Sequence, residues 1–353
     1  MREIRLYDLD FDRRSLLAAL GAGGLLAGCT TRPPPKATGP ASLDTGRLAN
    51  GFPALASRAH PAIFGFGVAL LDPGVAWVSD RTARFPLQSV FKAFLAATAL
   101  AQVDTGQMKL SEPVVITDQD LAPGESAIAR AWPGAGHTLP LPTVDLIALA
   151  VQRSDNTAAD VLMKRLGGPA AVTAWLRAKG VADISIDRYE TQLQPDLAGM
   201  GPFQVSWVDP RAWQAARDAV PSEAREAATA RYLADPRDTA TLPASLDFLT
   251  RLASGELLAP ASTRLLLRLM TDSLPGAHRL KAGLPPGAVF AHKTGTAATD
   301  LGLTPATNDI GLVTLENGRR FALAAYLAGA TATEAARDSL IADAARLAAS
   351  CVS

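Results

Sequence analysis

Residues 85–92 read Phe-Pro-Leu-Gln-Ser-Val-Phe-Lys and lead into an apolar stretch that predicts a helix over residues 90–103. Within this run Ser89 and Lys92 are three residues apart, a spacing that places two side chains on one face of a helix. A serine hydroxyl becomes a good nucleophile only when a base removes its proton, and a desolvated lysine can be that base. The helix start also directs backbone N–H groups toward developing negative charge. Alone the pair is a weak signal, because serine is also a common helix cap.

Two further short motifs follow along the chain. Ser-Asp-Asn at residues 154–156 stands between two predicted helices, 143–152 and 158–166, and could simply cap the second one. Lys-Thr-Gly-Thr at residues 293–296 follows a predicted strand, 288–292. A glycine at a strand edge lets a ligand lie close to the backbone, as a substrate that pairs with the strand requires. The order Ser-x-x-Lys, Ser-Asp-Asn, Lys-Thr-Gly is the combination found in class A β-lactamases and penicillin-binding proteins.

From about Gly67 onward the sequence resembles the class A serine β-lactamases. The Ser-Asp-Asn motif continues with Thr-Ala, residues 279–285 lead into the Lys-Thr-Gly strand, and Thr-Asn-Asp-Ile-Gly follows at residues 307–311. The lead-in to Ser89 and the run Leu-Gly-Gly-Pro-Ala-Ala at residues 166–171 are most similar to the divergent, extended-spectrum branch of that class. The resemblance implies hydrolysis of β-lactams by way of a serine acyl-enzyme.

The resemblance also implies a role for each matched side chain. Ser89 attacks the lactam carbonyl, and its proton passes to Lys92 or, through a water, to Glu190, an assignment that is disputed for the family. Backbone N–H groups of Ser89 and Thr296 form the oxyanion hole. The other roles are proton transfer to the departing nitrogen by Ser154 with Lys92 and Lys293, binding of the substrate's side-chain amide by Asn156, and binding of its carboxylate by Lys293, Thr294, Gly295, Thr296 and Arg279.

Residues 187–194, Asp-Arg-Tyr-Glu-Thr-Gln-Leu-Gln, distinguish the two enzyme classes that share these motifs. They match the start of the family's Ω loop, in which Glu190 activates the water that hydrolyses the acyl-enzyme. Penicillin-binding proteins lack this glutamate and release product slowly. Without the family, Arg188 and Glu190 could be a surface ion pair worth less than about 1 kcal/mol. Gln194 stands where the family usually has asparagine, so the amide that holds the water reaches one methylene further.

The closing motif of the Ω loop comes late in this chain. Asp-Pro-Arg-Asp-Thr occurs at residues 235–239, much further along than the family's spacing, which predicts an insertion over about residues 195–234. We expect Asp235 to form the ion pair with Arg188 that closes the loop. A competing register closes it at Asp209 instead.

The N-terminus has the features of an export signal. The pair Arg13 and Arg14 precedes an uncharged stretch, residues 16–27, that is shorter than the ~20 apolar residues needed to span a bilayer. Paired arginines favour the twin-arginine export route. Residues 26–29, Leu-Ala-Gly-Cys, resemble a bacterial lipobox, in which cleavage leaves an N-terminal cysteine to be diacylated. The alternative is that Cys29 is an ordinary buried residue after an apolar helix.

These features divide the chain into three parts. We expect a signal peptide over residues 1–28, a lipidated cysteine with a Pro-rich tether over 29–44, and one β-lactamase domain over 45–353. The domain would then be a lipoprotein of the bacterial cell envelope that faces the periplasm. Cys351 is interpreted as a small structural residue of a terminal helix, so no disulfide is expected.

Strand patterns occur at both ends of the folded part. Residues 64–71 and 75–78 flank an Asp-Pro-Gly turn, and residues 310–315 and 320–327 flank an Asn-Gly turn, so each pair predicts a hairpin. The segments between them are mostly helical. We therefore predict an α+β fold of the serine β-lactamase type, with an antiparallel sheet built from both chain ends and a helical lobe over about residues 85–275. A cleft between the two lobes is the expected site.

Composition excludes several other classes of protein. The chain has 353 residues, 34 basic and 34 acidic side chains and 48% hydrophobic residues, which excludes a disordered chain and argues against nucleic-acid binding. The four histidines lack His-x-His or His-x-x-x-His spacing, so no metal or other cofactor is expected. No Gly-x-Ser-x-Gly sequence occurs, which argues against an α/β-hydrolase. We expect a monomer that acts on a small-molecule β-lactam.

Two alternatives remain open. The first is a penicillin-binding protein or DD-peptidase-like acyltransferase, and Glu190 argues against it. The second is a non-enzymatic envelope lipoprotein of the same fold. Such a protein would be marked by loss of Ser89, Lys92 or Lys293, and all three are present. The order of preference among penicillins, cephalosporins and carbapenems does not follow from the sequence.

Overall fold

The computed structural model describes residues 39–72 and 74–353. The predicted signal peptide (residues 1–28) and Cys29 lie outside the described residues, as does most of the predicted tether. Within the described ranges, no helix is long and apolar enough to cross a membrane.

The predicted α+β fold is confirmed, with a five-stranded antiparallel sheet at its centre. The strands are β1 (Ile63–Leu70), β2 (Ala76–Val78), β3 (Arg84–Pro86), β4 (Pro113–Thr117), β5 (Thr138–Pro142), β6 (Thr239–Thr241), β7 (Val289–Thr296), β8 (Thr304–Thr314) and β9 (Arg320–Ala330). The large sheet has the order β2-β1-β9-β8-β7, while β3 pairs with β6 and β4 with β5. Strand β1 pairs with β9 along its whole length, so the two predicted hairpins join into one sheet.

The helices cover both faces of this sheet. They are α1 (Thr45–Ala59), α2 (Phe91–Asp104), α3 (Ala127–Arg130), α4 (Thr143–Gln152), α5 (Asn156–Arg165), α6 (Pro169–Ala178), α7 (Glu190–Leu197), α8 (Pro210–Asp218), α9 (Ser222–Ala234), α10 (Leu242–Ser254), α11 (Pro260–Thr271), α12 (Leu280–Gly283) and α13 (Glu334–Ser350). Along β9, Leu323 packs into the core formed with α1 and α13, whereas Ala322 and Ala324 pack toward the helical lobe. This alternation is the two-residue period of a strand buried on both faces.

Helix α2 lies at the centre of the helical lobe. Every residue from Phe91 to Leu100 is buried, and a helix that is apolar on all sides needs such a position. Because Ser89 lies in the turn before this helix, the predicted nucleophile is attached to one of the most enclosed elements of the fold. At the other end of the chain, Cys351 is a buried free thiol at the end of α13.

Candidate active site

The predicted nucleophile and base meet at the start of α2. Ser89 lies in a single 3₁₀ turn, Gln88–Val90, and is partly buried. The fully buried Lys92 donates a hydrogen bond from Nζ to Ser89 Oγ at 3.0 Å. Lys92 Nζ also donates to the Ser154 carbonyl at 2.7 Å and to Asn156 Oδ1 at 2.5 Å. These contacts give the first motif a direct link to the second.

The Ser-Asp-Asn segment both caps a helix and places two polar side chains at the site. Asp155 caps α5, accepting a hydrogen bond from Ala158 N at 2.9 Å, so the capping interpretation is correct for this residue. Ser154 takes the left-handed conformation with φ 58°, and its Oγ accepts from Lys293 Nζ at 3.1 Å. Asn156 uses one amide hydrogen on the Pro123 carbonyl at 2.7 Å, which leaves its second hydrogen for a ligand.

Lys293 supplies a second buried ammonium on β7. Burial lowers the pKa of Lys293 well below its ordinary value, and the positive charge of Lys92 lowers it further. Besides Ser154, its Nζ donates to the Thr294 carbonyl at 3.1 Å. Ser154 therefore lies between two lysines, with its hydroxyl on one and its carbonyl on the other.

Glu190 is the first residue of α7 and is buried. Its Oε1 lies 3.1 Å from Lys92 Nζ, and its Oε2 accepts a hydrogen bond from Gln194 Nε2 at 2.8 Å. The surface ion pair of Arg188 with Glu190 that the sequence allowed is therefore wrong. The longer glutamine side chain contacts the carboxylate directly from one helical turn away.

Asp160 on α5, which no motif indicates, anchors the start of α7. It accepts hydrogen bonds from Glu190 N at 2.7 Å and from Thr191 N at 3.0 Å. Burial, and then the negative charge of Glu190, raise the pKa of Asp160 to about 7. Two buried carboxyl groups thus lie at one helix start, where the backbone N–H groups favour negative charge.

Arg188 forms the predicted ion pair with Asp235, but its closer partner is Asp238, which was not predicted. Arg188 Nε donates to Asp238 Oδ2 at 2.6 Å, and Arg188 N donates to Asp238 Oδ1 at 3.1 Å. Asp235 is a secondary partner, 3.5 Å from Arg188 Nη2. The competing closure at Asp209 is wrong, because that side chain caps α8 through Arg211 N and Ala212 N.

The Lys-Thr-Gly strand packs directly against the nucleophile turn. A Cβ added at Gly295 would lie 2.3 Å from the Leu87 carbonyl oxygen and 3.1 Å from Val90 N, so only glycine fits. A cavity of about 480 Å³ opens beside this contact. It is lined by Ser89, Glu125, Arg153, Ser154, Leu274, Pro275, Thr294 and Thr296. Four of the lining residues were not predicted, since none belongs to a motif: Glu125, Arg153, Leu274 and Pro275.

Arg279 is not among the residues that line this cavity. Its Nε donates to Asp338 Oδ1 at 2.8 Å and its Nη1 to the Asn308 carbonyl at 3.0 Å. The guanidinium is buried and held by α13 and β8, so the structure gives it a packing role that the sequence did not predict.

Comparison with known proteins agrees with this geometry. Residues 48–351 match the model of the beta-lactamase enzyme family. The chain belongs to that family. The β-lactamase VEB-1 of Pseudomonas aeruginosa is 30% identical over 264 residues, covering 74% of this chain and 76% of that protein. The carbapenem-hydrolyzing β-lactamase KPC of Klebsiella oxytoca is 31% identical over 284 residues, covering 80% of this chain and 82% of that protein.

Solved structures give the same result. A β-lactamase from Chitinophaga pinensis DSM 2588 superposes with a TM-score of 0.70 at 29% identity, covering 86% of this chain and 98% of that one. An ancestral class A β-lactamase superposes with a TM-score of 0.67 at 30% identity, covering 85% and 98%. The chain is a class A serine β-lactamase, a hydrolase of β-lactams. Within the described residues there is no group of three or more His, Cys, Asp or Glu side chains that could hold a metal ion.

Proposed function

We propose that the enzyme hydrolyses β-lactams in two steps, with Ser89 as nucleophile and Glu190 as the base for deacylation. The observation that carries the proposal is the contact of one ammonium with both groups: Lys92 Nζ is 3.0 Å from Ser89 Oγ and 3.1 Å from Glu190 Oε1. A lysine in this position can pass a proton between the nucleophile and the carboxylate without solvent.

Acylation follows from the acceptors around Lys92. Four oxygens surround its Nζ, one of them the Ser89 hydroxyl, and only the neutral amine of a lysine can accept a proton. We infer that the neutral amine of Lys92 takes the proton of Ser89 and becomes the ammonium, so that acylation does not require Glu190 and deacylation does. Backbone N–H groups of Ser89 and Thr296, which both line the cavity, would stabilise the oxyanion, each worth about 3 kcal/mol.

The leaving nitrogen receives its proton from Ser154. Lys293 Nζ donates to Ser154 Oγ at 3.1 Å, and its lowered pKa makes it ready to resupply that proton. Deacylation then needs an activated water near the acyl carbon. Glu190 and Gln194, joined at 2.8 Å, are proposed to bind it, which distinguishes this site from that of a slowly deacylating penicillin-binding protein.

The remaining substrate contacts are assigned by position. Thr294, Gly295 and Thr296 form the strand edge that would bind the backbone and carboxylate of the substrate. Asn156 keeps one amide hydrogen that would bind the side-chain amide of the substrate. Arg279 is proposed as a further ligand of that carboxylate through Nη2, because its contacts with Asp338 and the Asn308 carbonyl use Nε and Nη1. The relatives include an extended-spectrum β-lactamase, PER-1, and a carbapenem-hydrolyzing one, so the spectrum of this chain is proposed to extend beyond penicillins.

Steady-state hydrolysis by the full chain tests this function. One penicillin, one oxyimino-cephalosporin and one carbapenem are compared with a D-Ala-D-Ala peptide, with Ser89→Ala as the control. The proposal expects multiple turnovers on at least the penicillin, none by the control and none on the peptide. Peptide turnover with a stable penicilloyl adduct would instead identify a DD-peptidase.

We also propose that the enzyme is a twin-arginine-exported lipoprotein, anchored through diacylated Cys29 and active as a periplasm-facing monomer. The signal order of residues 13–29 and the Pro-rich tether after it support this location. Cell fractionation of a bacterial host tests it: the parent protein should be in the membrane fraction and Cys29→Ala in the soluble periplasm. Equal distribution of both proteins would contradict the anchor, and light scattering in detergent reports the oligomeric state.

A further inference from the structure

The residue before the nucleophile has an unfavourable backbone conformation. Gln88 has φ 45°, in the left-handed region that glycine tolerates and a glutamine does not favour. Its position matters, because rotation about Gln88 turns the peptide group that carries the Ser89 N–H. Such a conformation persists only where neighbouring groups hold it.

A tyrosine from the segment that separates the two halves of the Ω loop contacts this glutamine. Gln88 Nε2 donates a hydrogen bond to the hydroxyl of Tyr232 on α9 at 2.6 Å, and both side chains are buried. Burial raises the pKa of the Tyr232 phenol, so it stays a neutral hydroxyl at working pH.

The tyrosine ring is itself fixed from two sides of the active site. The Arg188 guanidinium lies over it, 5.9 Å from the ring centroid. The ring also packs in one apolar cluster with two residues of α7, Leu193 and Leu197, and two residues of the β7–β8 hairpin, Ala297 and Ala306. Helix α9 is further tied to that hairpin by an ion pair of Arg225 with Asp300 at 2.6 Å.

We propose that Tyr232 is a positioning residue that holds Gln88 in its left-handed conformation and so aims the Ser89 N–H at the oxyanion. The other contacts to this turn act on its backbone: Asn308 Nδ2 donates to the Pro86 and Leu87 carbonyls, Leu87 N donates to the Asp238 carbonyl, and Phe91 N donates to the Gln88 carbonyl. Tyr232 is the partner of the Gln88 side chain itself. The proposal rests on the acyl-enzyme chemistry above and adds a residue that no motif contains.

Tyr232→Phe in the full chain tests it, since this change removes only the hydroxyl. Acylation and deacylation both use the oxyanion hole, so we expect kcat to fall about tenfold with KM unchanged. The value of kcat is calculated per active site, and active sites are counted by titration with an acylating β-lactam. Counting active sites removes any loss caused by unfolded protein. Unchanged kcat would overturn the proposal for Tyr232. The acyl-enzyme mechanism is tested separately, because the titration itself shows whether a covalent adduct forms.

Repeating the Tyr232→Phe substitution in a Gln88→Gly variant tests whether Tyr232 acts through Gln88 or through packing alone. Glycine adopts a positive φ without strain, so in Gln88→Gly the Tyr232 hydroxyl has no side chain to hold. Whatever the activity of Gln88→Gly, adding Tyr232→Phe to it should change kcat by less than twofold. A further tenfold loss in this background would show that the tyrosine acts by packing and would overturn the proposal.

Discussion

Lys92 Nζ and Glu190 Oε1 form an ion pair 3.1 Å long, and neither side chain is more than 1% exposed. Removing one partner of a buried pair typically costs about 3–5 kcal/mol, because the other charge is left uncompensated. Any substitution of Glu190 by a small residue would therefore mix a loss of stability with a loss of chemistry. Glu190→Gln keeps the size of the side chain and one accepting oxygen, so it leaves no cavity, while it removes the charge and the basicity.

Gln194 should act on deacylation more than on acylation. Its amide donates to Glu190 Oε2 at 2.8 Å and forms no hydrogen bond with Ser89 or Lys92. Gln194→Ala is expected to lower the deacylation rate about tenfold, or about 1.4 kcal/mol of barrier, with the acylation rate changed less than threefold. Stopped-flow measurement of both steps with a chromogenic cephalosporin checks this. Gln194→Asn is the matched variant, and equal loss in both steps would contradict the assignment.

The two aspartates of the closing motif should differ in their effect on stability. Asp238→Asn breaks a pair in which the side chains are 8% and 6% exposed, so a cost of about 3–5 kcal/mol is expected. Asp235→Asn removes a carboxylate whose nearest partner, Arg237, is largely exposed, and should cost about 1 kcal/mol or less. Urea unfolding of the two variants measures the difference. Equal costs would contradict the assignment of Asp238 as the main partner of Arg188.

The carboxyl of Asp160 should make stability depend on pH. Because its pKa is raised to about 7 in the folded protein from 3.8, the folded state holds a proton that the unfolded state has released. Its stabilising effect is complete below pH 4 and is lost as the pH rises through 7, by up to about 4 kcal/mol. Asp160→Asn cannot titrate, so the unfolding free energy of wild type relative to this variant should fall between pH 4 and 8. A difference that does not vary with pH would show that this carboxyl has an ordinary pKa.

Gly295 should tolerate no side chain. In Gly295→Ala the new methyl group meets the Leu87 carbonyl oxygen, which belongs to the nucleophile turn, so β7 must move away from Ser89. We expect a loss of about 1–3 kcal/mol in stability and of about 100-fold in kcat/KM. Gly67→Ala is the control, since its methyl group meets side-chain ends of Leu246 and Val78 at 2.9 and 3.0 Å, and lies at an ordinary contact distance of 3.5 Å from the Trp77 carbonyl oxygen. Similar kinetic losses in both variants would contradict the proposed close contact.

Elements with a strong apolar pattern could be predicted from the sequence. Helix α4 has the predicted bounds, Thr143–Gln152, and β1, β2 and β9 lie within three residues of their predicted bounds, whereas β8 begins at Thr304, six residues before its predicted start. The apolar runs and the Asp-Pro-Gly and Asn-Gly turns between them carry enough information for this. Short strands such as β3 and β6 could not be predicted, because three residues show no period and their pairing joins Pro86 to Thr239 across the chain.

Within the site, contacts inside one motif were easier to predict than contacts between distant residues. Ser89 and Lys92 meet because a helical turn brings them together. The choice between Asp235 and Asp238 depends on which carboxylate the loop turns inward, and both stand in the same short run. Tyr232 and Gln88 are brought together only by packing of α9, so nothing in either local sequence indicates their hydrogen bond.

The most direct test of the central claim is the mass of Glu190→Gln after mixing with a cephalosporin. Acylation by Ser89 without an effective base for water should leave a covalent adduct that persists for minutes, while the wild-type enzyme under the same conditions returns to its free mass. Ser89→Ala with the same substrate should show no adduct. If Glu190→Gln turns over at the wild-type rate and shows no adduct, Glu190 does not activate the deacylating water.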